Sequence, residues 1–238
     1  MYGCEVWGFH EGNEVEKVHS TFCKYILQVS PNTCNVAVLG ELGRHTLRTM
    51  RLIRIVKYWL KLLRCDNSRF IKQCYNYQFE MAEKNYNCWA KKVKDLLFSF
   101  GFGFVWESQN VGNESVFLSM FKQRCFDISS QKWSMEIETY SKLDSYRLFK
   151  QDLFLEDYLN VININIFRKT MSKFRVSNHN LRIESGRAEN LTRERRICQM
   201  CHLNQVETEL HFCLICPLYN DLRITILSPF FLGIPFHI

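Results

Sequence analysis

Apolar residues recur at intervals of three and four along most of this chain, which is the spacing of one face of an α-helix. The first such stripe runs through Val15, Val18, Phe22, Tyr25 and Ile26. A strand would alternate apolar and polar residues instead. The segment that carries this stripe is therefore predicted to be helical.

A longer apolar stripe lies between residues 47 and 63. Its members are Leu47, Met50, Ile53, Val56, Leu60 and Leu63, and the basic residues between them are Arg48, Arg51, Arg54, Lys57 and Lys61. This pattern predicts an amphipathic helix with a basic outer side. An ordinary solvated helix face explains that side more simply than a track for nucleic acid, although both interpretations stay open.

Three further helices are predicted, over residues 68–85, 89–100 and 114–140. Gly101 suits the left-handed position that ends the second of them. The third helix is expected to contribute several apolar residues to the core, namely Phe117, Met120, Phe121, Phe126 and Trp133. These long periodic segments indicate a mainly α fold, an irregular helical bundle.

One segment gives a mixed signal. Residues 161–166 alternate between apolar and polar side chains as a strand does, yet Phe167, Met171 and Phe174 continue at helical spacing. The helical spacing extends further along the chain, so we expect a helix that begins at Asn163 or Asn165.

Composition narrows the class of protein. Apolar residues make up 47% of the 238 residues and charged residues 23%, which is enough to bury a core. The chain has 11 cysteines and no segment resembling a signal peptide, so we expect an intracellular protein of the nucleus or cytoplasm, with cysteines clustered for metal binding. The apolar residues 224–238 are too few to span a membrane, so no membrane partner is expected.

The net charge of +7 is concentrated in one stretch. Between Arg168 and Arg196 nine Lys and Arg residues face three Glu residues, which gives +6. Such a basic segment suits contacts with the phosphates of RNA or DNA. The alternative is that its arginines pair with Glu184, Glu189 and Glu194 and form a solvated surface.

The strongest chemical motif is Cys198-x2-Cys201-x9-His211-x4-Cys216. Zinc prefers four such donors at tetrahedral angles, and a site with four protein ligands is structural. On a regular α-helix a spacing of five residues turns two side chains about 140° apart, which separates His211 from Cys216. Pro217 disfavours the α conformation at Cys216, so the helix is expected to loosen there.

A second ligand set competes with the first. Cys213 and Cys216 form another Cys-x2-Cys pair, which with Cys198 and Cys201 makes a four-cysteine site. Cys213 is flanked by Phe212 and Leu214 and is also explained as a small buried hydrophobic residue. The set with His211 is favoured.

No catalytic arrangement is evident in the sequence. The acids Asp152, Glu156 and Asp157 are close together but are expected to form a solvated helix face. No adjacent pair of aspartates is present of the kind a polymerase uses to hold two Mg²⁺ ions. We therefore expect no enzymatic activity and no small-molecule substrate.

Several blocks resemble one family. Residues 2–8 (YGCEVWG), 40–44 (GELGR), 174–187 and the segment 195–223 around the Cys and His motif are similar to the region after the palm in reverse transcriptases of LINE-type (non-LTR) retrotransposons. The resemblance implies a fragment of an RNA-directed DNA polymerase whose catalytic palm lies upstream. It also implies a terminal CCHC zinc knuckle that helps to bind template RNA or target DNA.

Five segments follow from the motifs and the resemblance together. They are residues 1–45 following the palm, a helical region 46–167, a basic linker 168–196, the zinc knuckle 197–223 and an apolar tail 224–238. The residues expected to bind nucleic acid are Arg175, His179, Arg182, Arg187, Arg193, Arg195 and Arg196. A zinc-containing module that binds proteins, or a non-functional remnant of an element, are the competing interpretations.

Overall fold

The computed structural model describes residues 1–10 and 12–227, and all regular secondary structure in them is helical. The N-terminal part contains α1 (Cys4–Trp7), α2 (Asn13–Leu27), α3 (Asn35–Glu41) and α4 (Leu47–Arg64). The middle contains α5 (Phe70–Glu83), α6 (Trp89–Ser99), α7 (Gly103–Ser108) and α8 (Glu114–Thr139). The C-terminal part contains α9 (Tyr146–Phe149), α10 (Tyr158–Val161), α11 (Asn165–Arg175), α12 (Arg182–Ala188) and α13 (Asn220–Leu227).

The helices expected over residues 68–85, 89–100 and 114–140 are confirmed to within two residues at each end. Gly101 adopts φ +85° directly after Phe100, the residue that caps α6, as predicted. Helix α11 begins at Asn165, so the helical spacing of its apolar residues outweighs the strand-like alternation before it. The mainly helical class is thereby confirmed.

The first hydrophobic core lies between α4, α5, α6, α7 and the N-terminal half of α8. At its centre the rings of Trp59 and Trp106 stack with centroids 6.2 Å apart. The indole N–H of Trp59 donates to the hydroxyl of Tyr75 at 2.8 Å, which satisfies a polar group that would be costly to bury alone. Both tryptophans are almost fully buried.

A second core joins α2, α3 and α9 to the C-terminal half of α8. Trp133 of α8 donates to the carbonyl of Val36 at 2.9 Å, and Tyr146 of α9 donates to that of Ala37. Both side chains lie directly against Gly40, where an added Cβ would be 2.5 Å from the Tyr146 hydroxyl. A larger residue at position 40 would therefore push this core apart.

A buried ion-pair cluster ties the N-terminal part of the chain to the C-terminal part. Glu41, fully buried at the end of α3, accepts two hydrogen bonds from the guanidinium of Arg175, at 2.7 and 3.0 Å. Arg175 also pairs with Glu156, which in turn pairs with the buried Lys150. Glu156 is thus a structural ion-pair residue, and neither it nor Asp152 lies on the solvated helix face that we expected.

The structure shows which faces of the predicted helices are exposed. On α2 the apolar stripe faces outward, with Tyr25 78% and Val18 70% exposed, while His19, Cys23 and Leu27 are buried. On α4 the basic outer side is incomplete, because Arg51 is fully buried near Glu16 and over the ring of Trp7. On α8 Met120 is 54% exposed and does not join the core.

Candidate metal centre and the basic stretch before it

The loop with the first two cysteines is closed by a short antiparallel bridge between Ile197 and Val206. The backbone N–H of Cys198 donates to the carbonyl of Gln205 at 2.9 Å, and that of Glu207 donates to Arg196. Asn204 adopts φ +51°, a left-handed conformation that asparagine tolerates better than most residues. The bridge holds Cys198 in place while the loop carries Cys201 back toward it.

The second pair of ligands is brought together by a π-helical turn, His211–Ile215. The N–H of Cys216 donates to the carbonyl of His211 at 2.7 Å, a bond five residues back along the chain. This wider turn places residues five apart on nearly the same side, which a regular α-helix would not do. Cys216 itself has ψ 121°, so the helix ends there as Pro217 predicted.

Four ligand atoms converge as a result. The Sγ atoms of Cys198, Cys201 and Cys216 and a ring nitrogen of His211 all lie within 4.8 Å of one another. The Sγ of Cys201 and Nε2 of His211 are 3.4 Å apart. Ligands of one tetrahedral zinc ion are separated by about 3.5–3.8 Å, so small side-chain movements would complete the coordination.

Cys213 is not among the converging atoms. It lies half-buried on the π-helical turn, and burial raises the pKa of its thiol. The four-cysteine alternative is therefore not the arrangement that the structure assembles. Burial likewise raises the pKa of the Cys198 thiol to about 11.

The surroundings of the cluster suit a metal ligand at His211. Nδ1 of its ring lies 3.3 Å from the side-chain oxygen of Gln205, and its backbone N–H donates to the hydroxyl of Thr208. With the Nδ1 proton donated to Gln205, Nε2 keeps the lone pair that faces Cys201. The histidine is 1% exposed, which limits its rotation.

Glu209, two residues before His211, attaches this segment to the helical body. Its carboxylate accepts hydrogen bonds from Ser145 at 2.6 Å and Ser177 at 3.0 Å, and lies 2.9 Å from Nε2 of His179. Desolvation alone would raise the pKa of Glu209, but the bonds from His179 and Ser145 outweigh it and hold the pKa at about 2. His179 is thus a bridging residue within the chain.

Most of the predicted nucleic-acid ligands have partners within the protein. Arg182 pairs with Glu189, Arg187 with Glu184, and Arg193 with Asp144. These contacts favour the alternative of a salt-bridged surface for three of the seven residues, whereas Arg175 belongs to the buried ion-pair cluster described above. The acid partners differ from those expected, because Asp144 takes the place of Glu194.

Arg196 and Arg195 are adjacent but have opposite environments. The guanidinium of Arg196 is buried and donates to the carbonyls of Leu191 and Ile183 at 2.8–3.0 Å. Its hydrogen-bonding groups are used to hold the chain against α12, so it is a structural residue and not a free phosphate ligand. Arg195 is exposed and forms no ion pair within residues 1–10 and 12–227.

Three basic residues on α11 were left out of the predicted site although they lie in the same stretch. Arg168, Lys169 and Lys173 form no ion pair with any part of the chain that the structure describes. Lys169 and Lys173 are four residues apart and therefore share a helix face. These residues contribute to the net positive charge of the stretch 168–196. The predicted site instead favoured the arginines that lie closest in the sequence to the Cys and His motif.

The stretch 168–196 is consequently not a linker. It comprises most of α11, all of α12 and the 3₁₀ turn Arg193–Arg195, and each part is bonded to the helical body or to the segment 197–216. The backbone N–H of Arg182, for example, donates to Glu207. Of the predicted tail 224–238, residues 224–227 belong to α13 and residues 228–238 lie outside the described residues.

Comparisons with protein-family models, with curated proteins and with solved structures found no match to this chain. In the described parts of the chain, no helix has both the length and the apolar character needed to cross a membrane. The site must therefore be interpreted from its own residues.

Proposed function

We propose that this chain is a zinc-stabilised helical protein that binds RNA or DNA, and that it corresponds to the C-terminal part of a LINE-type reverse transcriptase. The proposal rests on the convergence of Cys198, Cys201, His211 and Cys216 at one point. The motif around these residues also carries the resemblance to that family. In this assignment the chain works in the nucleus or cytoplasm and leaves the polymerisation chemistry to the upstream palm.

Zinc would act structurally here. Three cysteines and one histidine fill the four positions of a tetrahedral ion and leave none for water or substrate. The segment 197–216 has little apolar core of its own, so metal binding would supply much of the free energy that keeps it folded. Its attachment through Glu209 would transmit that order to α11 and α12.

The nucleic-acid surface is assigned to four basic residues of the stretch, Arg168, Lys169, Lys173 and Arg195, which form no ion pair with the described part of the chain and, unlike Arg196, are not buried. Phosphate contacts release counterions, so affinity falls with salt concentration. Four contacts on a single strand give a log–log slope of about −3, at about 0.7 per contact. Contacts of this kind position a strand without reading its sequence.

The test is a salt titration of binding to a single-stranded RNA, with the triple variant Lys169→Gln/Lys173→Gln/Arg195→Gln. Removal of three contacts is expected to flatten the slope by about 2 and to weaken binding to all sequences alike. A triple variant of other exposed basic residues, Lys57→Gln/Lys61→Gln/Arg124→Gln, serves as the charge-matched control. Equal slopes and affinities for the two variants would contradict the assigned surface.

A second function, protein binding, is favoured by the outward apolar face of α2. Val18, Phe22 and Tyr25 lie on this face and are 55–78% exposed. Aromatic and aliphatic residues exposed together on one helix are typical of interaction surfaces. In that case the zinc module would be a scaffold, and binding of the partner would depend weakly on salt.

A further inference from the structure

A cleft of about 870 Å³ lies between the two hydrophobic cores, far along the chain from the metal ligands. It is bounded by α2, α3, α4, α6 and α8, and its volume is in the range of pockets that hold small molecules, about 300–1,000 Å³. None of its lining residues belongs to the stretch 168–227. It is therefore a separate feature from the candidate metal centre.

Three basic side chains line this cleft without an ion-pair partner in residues 1–10 and 12–227: Arg44, Arg48 and Lys92. They come from the loop before α4, the first turn of α4 and α6. Three different elements thus supply positive charge to one concave surface, where neighbouring charges reinforce one another more than on an open surface.

The acids in the cleft wall are already engaged. Glu16 accepts from the backbone N–H groups of Leu47 and Arg48, at 3.0 and 2.7 Å, and its charge faces Arg51 and His19, each 3.9 Å away. Asp95 pairs with Lys91, and Glu136 lies 3.8 Å from Lys132. These contacts leave the positive charge of Arg44, Arg48 and Lys92 unbalanced, and an anion is the ligand that would balance it.

Apolar side chains also line the cleft. They are Leu52, Leu96, Phe100 and Trp133, and each comes from one of the two cores. A ligand that fits must carry both negative charge and a flat or apolar body. Inorganic phosphate lacks such a body, whereas a nucleotide has both parts.

We propose that this cleft binds a nucleotide, with its phosphate on Arg44, Arg48 and Lys92 and its base against the apolar side chains. The same chemistry is offered by a free nucleoside monophosphate and by the end of a single strand. The inference stands on the cleft alone and does not require the nucleic-acid surface on α11.

The experiment measures calorimetric binding of AMP, of an RNA hexamer and of inorganic phosphate to the full chain. Wild type is expected to bind AMP, the hexamer or both, and to bind at least one of them more tightly than phosphate. Arg48→Gln/Lys92→Gln should weaken the binding by about tenfold or more, because charged hydrogen-bond donors are lost. Ser129→Trp, which fills the cleft and keeps its charge, should do the same, whereas Lys57→Gln/Lys61→Gln should leave the affinity unchanged.

The outcomes separate the sources of the ligand. Binding of AMP indicates a free nucleotide, and binding of the hexamer alone indicates a strand end; each supports the cleft only if both cleft variants weaken it while their circular dichroism stays that of wild type. Phosphate bound as tightly as AMP would overturn the inference, and so would the absence of any binding. If the hexamer binds and only the Lys169, Lys173 and Arg195 variant weakens it, the proposed function stands and the cleft assignment fails.

Discussion

Cys216 shows how local backbone chemistry shapes the candidate metal centre. Pro217 disfavours the α conformation at the residue before it, and Cys216 accordingly takes ψ 121°. The preceding turn is π-helical, so His211 and Cys216 meet although they are five residues apart. The four ligands are therefore assembled by a proline, a widened turn and one short β-bridge.

His211 and Cys213 distinguish the two candidate ligand sets. Purified wild-type protein should contain about one zinc ion per chain, as should Cys213→Ser, because Cys213 lies outside the cluster. His211→Ala should lose the metal, since three cysteines leave the tetrahedron incomplete. Elemental analysis after dialysis measures the zinc content of both variants and of the wild type. Zinc retained by His211→Ala and lost by Cys213→Ser would establish the four-cysteine set instead.

Helix α8 serves both cores, and this explains why its apolar pattern is weak. Phe117, Phe121 and Cys125 face the first core, and Trp133 and Ile137 face the second. At 100° per residue the direction from Phe117 to Ile137 turns by about 200°. A helix that changes its buried side along its length shows no single apolar stripe.

The two adjacent residues Phe121 and Met120 test this description of α8. Phe121 is fully buried among Phe100, Phe102 and Phe117, so Phe121→Ala should lower the free energy of unfolding by about 3–5 kcal/mol. Met120 is 54% exposed, and Met120→Ala should change the free energy of unfolding by no more than about 0.5 kcal/mol. Urea denaturation gives both values. Similar losses for both variants would mean that α8 is rotated relative to the structure.

Across the whole molecule, the C-terminal segment from α11 to the candidate metal centre is bonded to the helical body. Arg175 reaches Glu41, Arg193 reaches Asp144, and Glu209 holds Ser145. A knuckle on a flexible linker would make none of these contacts. Loss of zinc is therefore expected to affect α11 and α12 as well as the ligand loop.

Two-metal catalysis depends on how the acidic side chains are arranged across the whole molecule. Within residues 1–10 and 12–227, the cluster of Cys198, Cys201, His211 and Cys216 is the one group of three or more side chains placed to hold a metal ion. Two-metal polymerases need carboxylates that converge in the same way. The sequence lacks an adjacent pair of aspartates, so we expect no templated DNA synthesis in a primer-extension assay on RNA, and extension above a heat-inactivated control would refute this.

Helix positions followed from the sequence because each long segment carries its own period, cap or break. Residues 68–85, 89–100 and 114–140, Gly101 and the break at Cys216 are local features, and local sterics decide them. The grouping of Cys198, Cys201, His211 and Cys216 was also predicted, because the Cys-x2-Cys spacing and the break before Pro217 are local features. What these predictions share is that they rest on neighbouring residues in the sequence.

Tertiary structure alone decided which faces are buried and which charges are free. The apolar residues of α2 point outward because Cys23 and Leu27 on its other side pack in the second core, and nothing within α2 reveals that choice. Arg175 finds its partner 134 residues away in Glu41, and Arg196 uses carbonyls that only the folded chain brings near. Pairing and burial depend on long-range neighbours, so the sequence located the basic stretch but could not say which of its cations remain available to a ligand.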